Sequence, residues 1–148
     1  LAPGLKGANR TGRPFTGDHA GTLLYPTLAA LGLAHGVYQA RPDDGFTLSG
    51  CRVTNAARCV PPANRPLPAE LTACRSFLAA EIAAMPALRG ILALGHHAFG
   101  HGRLHRPSGR LVMVDSYHCS RLNTNTGRLT AAMFRAAVET LQGAILPD

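Results

Sequence analysis

The segment at residues 112–129, VMVDSYHCSRLNTNTGRL, brings an imidazole, amides and guanidinium groups close together in the chain. It follows the apolar start of a predicted strand at residues 111–114, and it turns polar at Asp115 and Ser116. His118 can donate a hydrogen bond to developing negative charge, and arginines can hold phosphate. A strand that ends in such a loop is a common place for chemistry in an α/β sheet, although a polar surface loop has the same composition.

A second segment with chemical potential is the glycine-rich front of the chain. It contains four glycines, two arginines and one aromatic residue: Gly4, Gly7, Gly12, Gly17, Arg10, Arg13 and Phe15. Glycines let backbone amides approach a ligand closely, and arginines supply charge for phosphate. The glycine spacing matches neither a dinucleotide fingerprint nor a P-loop. We predict a ligand-cradling loop, because a flexible glycine-rich terminus fits less well with Pro14 and Phe15 in its middle.

Asn55 is a third candidate, since it ends a short strand that is predicted at residues 51–55. Its amide offers one acceptor and two donors in a plane, which matches the edge of a pyrimidine. The bland alternative is an asparagine in a turn, which the following Ala56 and Ala57 do not especially favour.

Composition favours a polyanionic partner. The chain has 148 residues, 46% of them hydrophobic, and a formal net charge of +7, with Lys6 as its single lysine. Arginine forks bind phosphate at two points and stack on bases, so nucleic acid is favoured over a membrane surface. The sequence has no apolar run long enough to span a bilayer. Four cysteines are too few for a disulfide scaffold and indicate metal binding, catalysis or inert burial.

The elements that would position these residues alternate along the chain. Strands are predicted near Val53, Ile91 and Val112, and helices at about residues 17–33, at about 69–85 and after Thr130. Gly32 is the predicted stop of the first helix, the second helix has an apolar stripe, and Thr130 is the predicted cap of the third, which has an apolar face. Such alternation predicts an α/β fold with a parallel sheet covered on both faces. Asp18 stands at the start of the first helix, where a capping role and an active-site role are both open.

Four histidines are a second possible source of metal ligands besides the cysteines: His96, His97, His101 and His105. The last three are four residues apart and could line one face of a helix. Gly100 and Gly102 weaken such a helix, and no acidic residue supports the group as in known zinc signatures.

Three segments, in order, resemble the conserved motifs of the family 5, or type-b, uracil-DNA glycosylases. They are LAPG at residues 1–4 with GANRTGRPFTGD at 7–18, TNAARCVPP at 54–62, and SYHCSR at 116–121 with NTNTGRL at 123–129. Because these motifs cover nearly the whole chain, chance agreement is not a serious competitor.

The resemblance implies a three-layer αβα domain of the uracil-DNA glycosylase fold over residues 1–148, with a central parallel sheet. It also implies a strand ahead of Leu1, so the domain is expected to be N-terminally incomplete. The implied reaction is hydrolysis of the N-glycosidic bond of uracil in DNA, and of other deaminated bases such as hypoxanthine and xanthine. The implied partner is DNA with deaminated bases, and we expect a monomer in a bacterial or archaeal cytoplasm.

The resemblance also implies roles for individual residues. Phe15 would stack on the flipped base, Asn55 would recognise its edge, and His118 would donate to the oxygen that gains charge. Gly4 and Asn123 would complete the substrate site.

One departure from the wider superfamily bears on catalysis. Ala2 stands where most of its members have an acidic residue or asparagine, and this leaves Asp18 as the nearest acidic candidate.

Three arginines would contact DNA: Arg10, Arg121 and Arg128.

The implied cofactor is a [4Fe–4S] cluster. Cys59 and Cys74 resemble the last two of its four ligands, and the other two are expected upstream of the first motif. Cys51 and Cys119 are then buried structural cysteines. Two alternatives to the glycosylase stay open, a catalytically inactive DNA-binding relative and an iron–sulfur redox module.

Overall fold

The computed structural model describes residues 2–62, 66–95 and 100–146, apart from the side chain of Ser108, as a mixed α/β structure. The chain divides into two compact units, Leu1–Pro86 and Ala87–Asp148. The helices are α1 Ala8–Thr11, α2 Gly21–Ala30, α3 Pro68–Ala83, α4 Arg121–Asn125 and α5 Ala131–Ile145. The strands are β1 Ala34–His35, β2 Thr47–Leu48, β3 Gly90–Leu94, β4 Leu104–Ser108 and β5 Leu111–Ser116. The predicted α/β class is therefore confirmed, with small sheets. No helix in the described ranges is long and apolar enough to cross a membrane.

Helix α2 forms the apolar centre of the first unit. Its buried side chains Leu24, Tyr25 and Leu28 recur at helical spacing, and Gly32 ends the helix with a left-handed φ of 75°. The helix begins later than predicted, and Ala20 rather than Asp18 is its N-cap. The Asp18 carboxylate instead accepts a hydrogen bond from the Ala20 backbone at 3.1 Å. This bond, from the backbone two residues further along the chain to the side chain, closes a local turn.

Arg13 is enclosed in this unit by three aromatic rings. Its guanidinium carbon lies 5.5 Å from the ring centres of Tyr25 and Tyr38 and 5.9 Å from that of Phe46. Both terminal nitrogens also bond the Asp44 carboxylate, each at 2.8 Å. The interpretation of Arg13 as a phosphate ligand is therefore wrong, because its fork is already saturated by a carboxylate and cation–π contacts.

Two further predictions for this unit need correction. Residues 51–55 are not a strand, because no described strand pairs with them; β1 pairs only with β2, in antiparallel register. Helix α3 has the predicted position, but its apolar stripe is only half-buried and Phe77 is 59% exposed.

The sheet of the second unit has the order β3–β5–β4. Strands β3 and β5 are parallel, as predicted, with Gly90 opposite Val112. Strand β4 was not predicted; it pairs antiparallel with β5 and makes the sheet mixed. Its register shifts between His105 and Ser108, and this irregularity at an edge accommodates Pro107, which would disrupt a central strand.

Helix α5 covers this sheet, as predicted. Thr130 is the N-cap and accepts a hydrogen bond from the Met133 backbone at 3.2 Å. The buried face contains Phe134, Ala137 and Val138. A methyl group added at Gly90 would lie 2.9 Å from Leu141, so only glycine lets α5 pack this closely on β3.

The polar end of β5 is not a loop. Asp115 and Ser116 belong to the strand and are 1% and 0% exposed. Burial is tolerated because His105 Nε2 lies 2.7 Å from the Asp115 carboxylate and His101 Nδ1 lies 3.4 Å from the Ser116 hydroxyl.

The histidine group does not line a helix where it is described. His105 belongs to β4 and His101 to a turn, while His96 and His97 lie outside the described residues. Within the described ranges, no three His, Cys, Asp or Glu side chains converge as a metal site.

The Arg13–Asp44 pair predicts a pH dependence of stability. The Asp44 side chain has no exposed surface, and the hydrogen bond from Arg13 holds its pKa below the ordinary range. A depressed pKa contributes stability that is present above the unfolded pKa, about 3.9, and is lost as the pH falls below it. Asp44→Asn should lower the melting temperature by several degrees at pH 7, and the difference from wild type should shrink in acid.

The matched control is Asp43→Asn. The Asp43 side chain is 78% exposed and lies 3.6 Å from Arg41, so its removal should leave the melting temperature nearly unchanged. Equal melting curves for both variants across pH 3–7 would contradict the assignment of Arg13 to the core.

Candidate active site and cluster ligands

Phe15 is held in a backbone conformation that aromatic residues rarely adopt. Its φ is 55°, in the left-handed region, and the residue is buried. The Tyr25 hydroxyl donates to the Pro14 carbonyl, and the Tyr38 hydroxyl donates to the Phe15 carbonyl at 3.0 Å. A methyl group at Gly21 would lie 1.9 Å from that same carbonyl. Such strain persists only where surrounding contacts impose it, and it is commonest at functional sites.

Burial has a second effect on this loop. It raises the pKa of Tyr25 to about 12, so the phenol remains protonated at neutral pH and keeps donating to Pro14. The hydrogen bond from Tyr25 to Pro14 is therefore unaffected by pH over the neutral range.

The Asp18 carboxylate lies against the glycine-rich turn of the first motif. A methyl group on Gly7 would lie 2.5 Å from its Oδ2 atom, and one on Gly4 would lie 3.9 Å from the same atom. Oδ1 is used by the Ala20 N–H, whereas Oδ2 bonds no described residue. One oxygen thus fixes the local turn, and the other is available for a water molecule or ligand.

Arg10 differs from Arg13 in being exposed. Its Nε atom donates to the Lys6 carbonyl at 3.1 Å, within the same loop, and its side chain forms no ion pair with a described residue. Its guanidinium therefore has donors left for an external anion.

Asn55 is half-buried, and its amide forms no hydrogen bond within the described ranges. The residues beside it are fixed to helix α3 through Glu81. Thr54 donates to the Glu81 carboxylate at 3.0 Å, and Arg58 bonds the same oxygen and also donates to Thr54 at 3.2 Å. The chain around Asn55 is thus held while its amide stays available for recognition.

Cys59 and Cys74 lie on adjoining segments of the first unit. The Arg58 backbone N–H donates to the Cys74 sulfur at 3.4 Å, which brings the residue before Cys59 against α3. Backbone donors to cysteine sulfur stabilise thiolate ligands of iron–sulfur clusters. Cys59 is exposed and Cys74 is half-buried, so both sulfurs suit a shared cluster that takes further ligands from elsewhere.

The other two cysteines have a different environment. Cys119 is fully buried, and burial raises its pKa to about 12. Burial also raises the pKa of Cys51, whose sulfur donates to the Leu33 carbonyl at 3.3 Å. Both remain protonated thiols at neutral pH, as expected for structural cysteines.

The third motif begins at the last residue of β5 and continues through an irregular segment into helix α4. Ser120 caps the short helix α4 by accepting from the Asn123 backbone at 3.4 Å. The Asn123 amide donates to the His118 carbonyl at 2.9 Å, and the Asn123 carbonyl accepts from the buried Leu129 at 3.0 Å. Asn123 therefore fixes the backbone at His118, a contact that the sequence alone did not indicate.

The two arginines of this motif have different surroundings. Arg128 stacks on the Tyr117 ring, 4.6 Å from its centre, and His101 stacks on the same ring at 5.2 Å. Arg121 is exposed, and its guanidinium has no described partner. Stacking orients Arg128 while leaving its N–H donors available, so both arginines remain able to bind phosphate.

The predicted residues thus fall into two groups, each described within its own unit. In the first unit, Gly4, Asp18 and Phe15 belong to the first motif. Cys74 lies on α3, and the segment that contains Asn55 and Cys59 is bonded to this helix through Thr54 and Arg58. In the second unit, His118 and Asn123 are in contact. Sequence reasoning missed Glu81, although its position seven residues after Cys74 on one helix could have indicated a shared face.

Comparisons with known proteins agree with the motifs. The uracil DNA glycosylase superfamily profile matches residues 1–142. A type-5 uracil-DNA glycosylase of Thermus thermophilus is 43% identical over 90% of this chain and 68% of its own length. Type-5 enzymes of Pyrobaculum aerophilum and Mycobacterium tuberculosis are 40% and 38% identical over 88% and 90% of this chain. The chain spans 63% and 56% of those two relatives.

The Glu81 network predicts a measurable loss of stability in one variant. The Glu81 side chain is 9% exposed; burial opposes its ionisation, but hydrogen bonds from Arg58 and Thr54 lower its pKa. Glu81→Gln should lower the free energy of unfolding by about 1–2 kcal/mol at pH 7, since charged hydrogen bonds are lost. A lowered carboxyl pKa means that this contribution disappears as the pH falls through and below about 4.3, so the two proteins should converge in acid.

Glu139→Gln is the control for this measurement. Glu139 is 47% exposed and pairs with Arg135 one helical turn away, an arrangement of little energetic weight. Urea unfolding of both variants tests the difference, and an equally small loss in each would refute a structural role for Glu81.

Proposed function

The chain belongs to the uracil-DNA glycosylase superfamily, in its type-5 branch, and from that premise we propose that the protein removes uracil from DNA. The observation that carries the proposal is the 43% identity to a type-5 enzyme across 90% of the chain. The superfamily match over residues 1–142 includes all three motifs. We also propose that residues 1–148 form one domain of three αβα layers with a central parallel sheet. Strands β3 and β5 would supply one of its parallel pairs.

The proposed reaction is hydrolysis of the bond between the base and C1′ of the sugar. Water adds to C1′, and the electron pair of the breaking bond leaves with uracil as an anion that later takes up a proton. The target nucleotide must first be extruded from the duplex. Catalysis then depends on donors aimed at the oxygen that gains charge.

His118 is the proposed donor to that oxygen. Its backbone carbonyl accepts a hydrogen bond from the Asn123 amide at 2.9 Å, so the backbone from which the imidazole extends is held in place. A fixed donor needs little reorganisation when charge develops, and this is the source of its catalytic effect.

Phe15 and Asn55 are proposed to receive the base. Phe15 supplies an aromatic face on a loop held by Tyr25 and Tyr38, and Asn55 supplies a planar amide with no competing described partner. An aromatic ring can stack on any base, whereas the Asn55 amide distinguishes bases by the hydrogen-bonding groups on their edges. Gly4 and the glycine turn would leave room beside this pocket.

Asp18 is proposed to position or activate the attacking water through Oδ2, the oxygen that faces Gly7. The same residue would keep the turn through Oδ1. Arg10, Arg121 and Arg128 are proposed to hold phosphates of the DNA backbone, which would account for much of the affinity.

Cys59 and Cys74 are proposed to hold two corners of a [4Fe–4S] cluster. When bound, the cluster would act as a crosslink between the segment after Asn55 and helix α3. The Arg58 N–H would stabilise one of its thiolates.

The proposed substrate range extends to other deaminated bases. With Ala2 in place of an acidic group or asparagine, the pocket depends on stabilising the leaving base, and hypoxanthine and xanthine also leave as stable anions. The proposed place of action is chromosomal DNA in a bacterial or archaeal cytoplasm, with the enzyme as a monomer.

His118→Ala is the variant that tests the mechanism. It should slow single-turnover release of uracil by roughly 10²–10³, the usual cost of losing one positioned donor. DNA affinity should be nearly unchanged, because phosphate contacts dominate it. His35→Ala, at an exposed histidine of β1, should keep the wild-type rate. Full speed in the His118 variant would rule out its role as the donor.

Asp18 offers a test that separates structure from chemistry. Asp18→Asn keeps an oxygen for the Ala20 N–H, so its melting temperature should match wild type, while uracil release should fall about 10²-fold if the charge activates water. Asp18→Ala should lose both stability and rate. A wild-type rate in Asp18→Asn would reduce Asp18 to a turn residue.

A further inference from the structure

We propose that the ribbon formed by β4 and β5 is an additional DNA-binding surface, which contacts the duplex backbone through Arg103, Arg106 and Arg110. The inference rests on the proposed function in two respects, that the protein acts on DNA and that His118 lies at the extruded base. It concerns a segment that none of the three motifs includes, and it adds to the arginines already proposed at the active site.

The three arginines are exposed, and their side chains have no ion pair, hydrogen bond or ring contact within the described ranges. Some other arginines of the chain are engaged, namely Arg13 with Asp44, Arg58 with Glu81, and Arg135 with Glu139. An array of unpaired guanidinium groups costs stability through self-repulsion, which an anionic partner would relieve.

The second unit offers these arginines no acidic partner of its own among the described residues. Asp115 is 1% exposed and contacts His105, and Glu139 on α5 is paired with Arg135. The positive charge of the three arginines is therefore not neutralised by the described acidic residues of this unit, and an external polyanion could bind there.

The geometry of the ribbon suits a duplex. Strand β4 is the outer strand of the described sheet and returns to β5 through a two-residue turn at Gly109 and Arg110. A two-stranded ribbon fits the major groove, and planar guanidinium groups bind phosphate oxygens in pairs. Pro107 and the register shift make this edge a poor template for strand pairing with another protein, so nucleic acid is the favoured partner.

The two ends of the ribbon lie at different distances from His118 along the strand. The Arg103 carbonyl accepts from the Asp115 backbone, at the end where β5 continues towards His118. Arg110 is at the opposite end, next to the first residue of β5. Six strand residues span roughly 20 Å, or about six base pairs of duplex. Arg103 should therefore contact DNA near the extruded base, and Arg110 should contact it several base pairs away.

The test uses the intact protein with an undamaged 30-base-pair duplex over a range of salt concentrations. In the variant Arg103→Gln/Arg106→Gln/Arg110→Gln, the slope of log affinity against log salt should fall by about 2–3, since each phosphate contact contributes about 0.9. The matched control is Arg41→Gln/Arg75→Gln/Arg135→Gln, which removes the same charge from exposed sites and should leave the slope nearly unchanged. A third variant with lysine at the three ribbon positions should retain most of the slope.

A length series locates the contact. Arg110→Gln should weaken binding to duplexes with eight base pairs on each side of a uracil but have no effect when two base pairs remain. Equal slopes for the ribbon and control triples would overturn the inference, even if wild type releases uracil normally. A ribbon-dependent slope without uracil release would instead uphold the inference and refute the proposed enzyme activity. Loss of affinity that the length of the flank does not change would also contradict it.

Discussion

The front half of the chain depends on the charge pair between Arg13 and Asp44. A guanidinium can lie among three aromatic rings only if a carboxylate meets its charge, and Asp44 does so with both oxygens. The same arginine donates to the Thr16 hydroxyl at 2.7 Å and to the Arg41 carbonyl at 2.7 Å. One side chain thereby links the first motif to the turn before β2, and it leaves Phe15 little freedom to relax from its left-handed conformation.

Helix α3 provides a second constraint that joins two proposed functions. Cys74 and Glu81 are seven residues apart, two helical turns, and face the same segment of chain. The Cys74 sulfur accepts a hydrogen bond from the Arg58 backbone, and the Glu81 carboxylate accepts one from the Arg58 side chain. Helix α3 therefore holds both the proposed cluster ligand and the segment that carries the Asn55 amide, which is proposed to recognise the base. A cluster bound at Cys74 would then be linked to the segment that contains Asn55 through the Arg58 backbone.

Local signals in the sequence predicted part of this structure. The Thr130 cap, the apolar face of α5 and the stop at Gly32 depend on neighbours within one or two helical turns, and all were confirmed. The family resemblance rested on contiguous motifs, and the comparisons bear it out.

Predictions failed where partners are distant in the chain. Arg13 has the residue type and setting of a phosphate ligand, but its partner Asp44 is 31 residues away. Strand β4 contains Pro107, which argues against a strand unless its place at an edge is known. The polar residues Asp115 and Ser116 suggested a loop, but contacts to His105, His101 and the Tyr117 carbonyl allow them to be buried in β5.

Uracil excision is tested directly by the reaction of the wild-type protein with a labelled duplex that contains one uracil. Free uracil should be released and an intact abasic strand should remain, which alkali then cleaves at that single position. The same duplex with thymine at that position should stay whole. Tight binding without release of base from the uracil duplex would contradict this activity and leave a DNA-binding relative that does not catalyse the reaction.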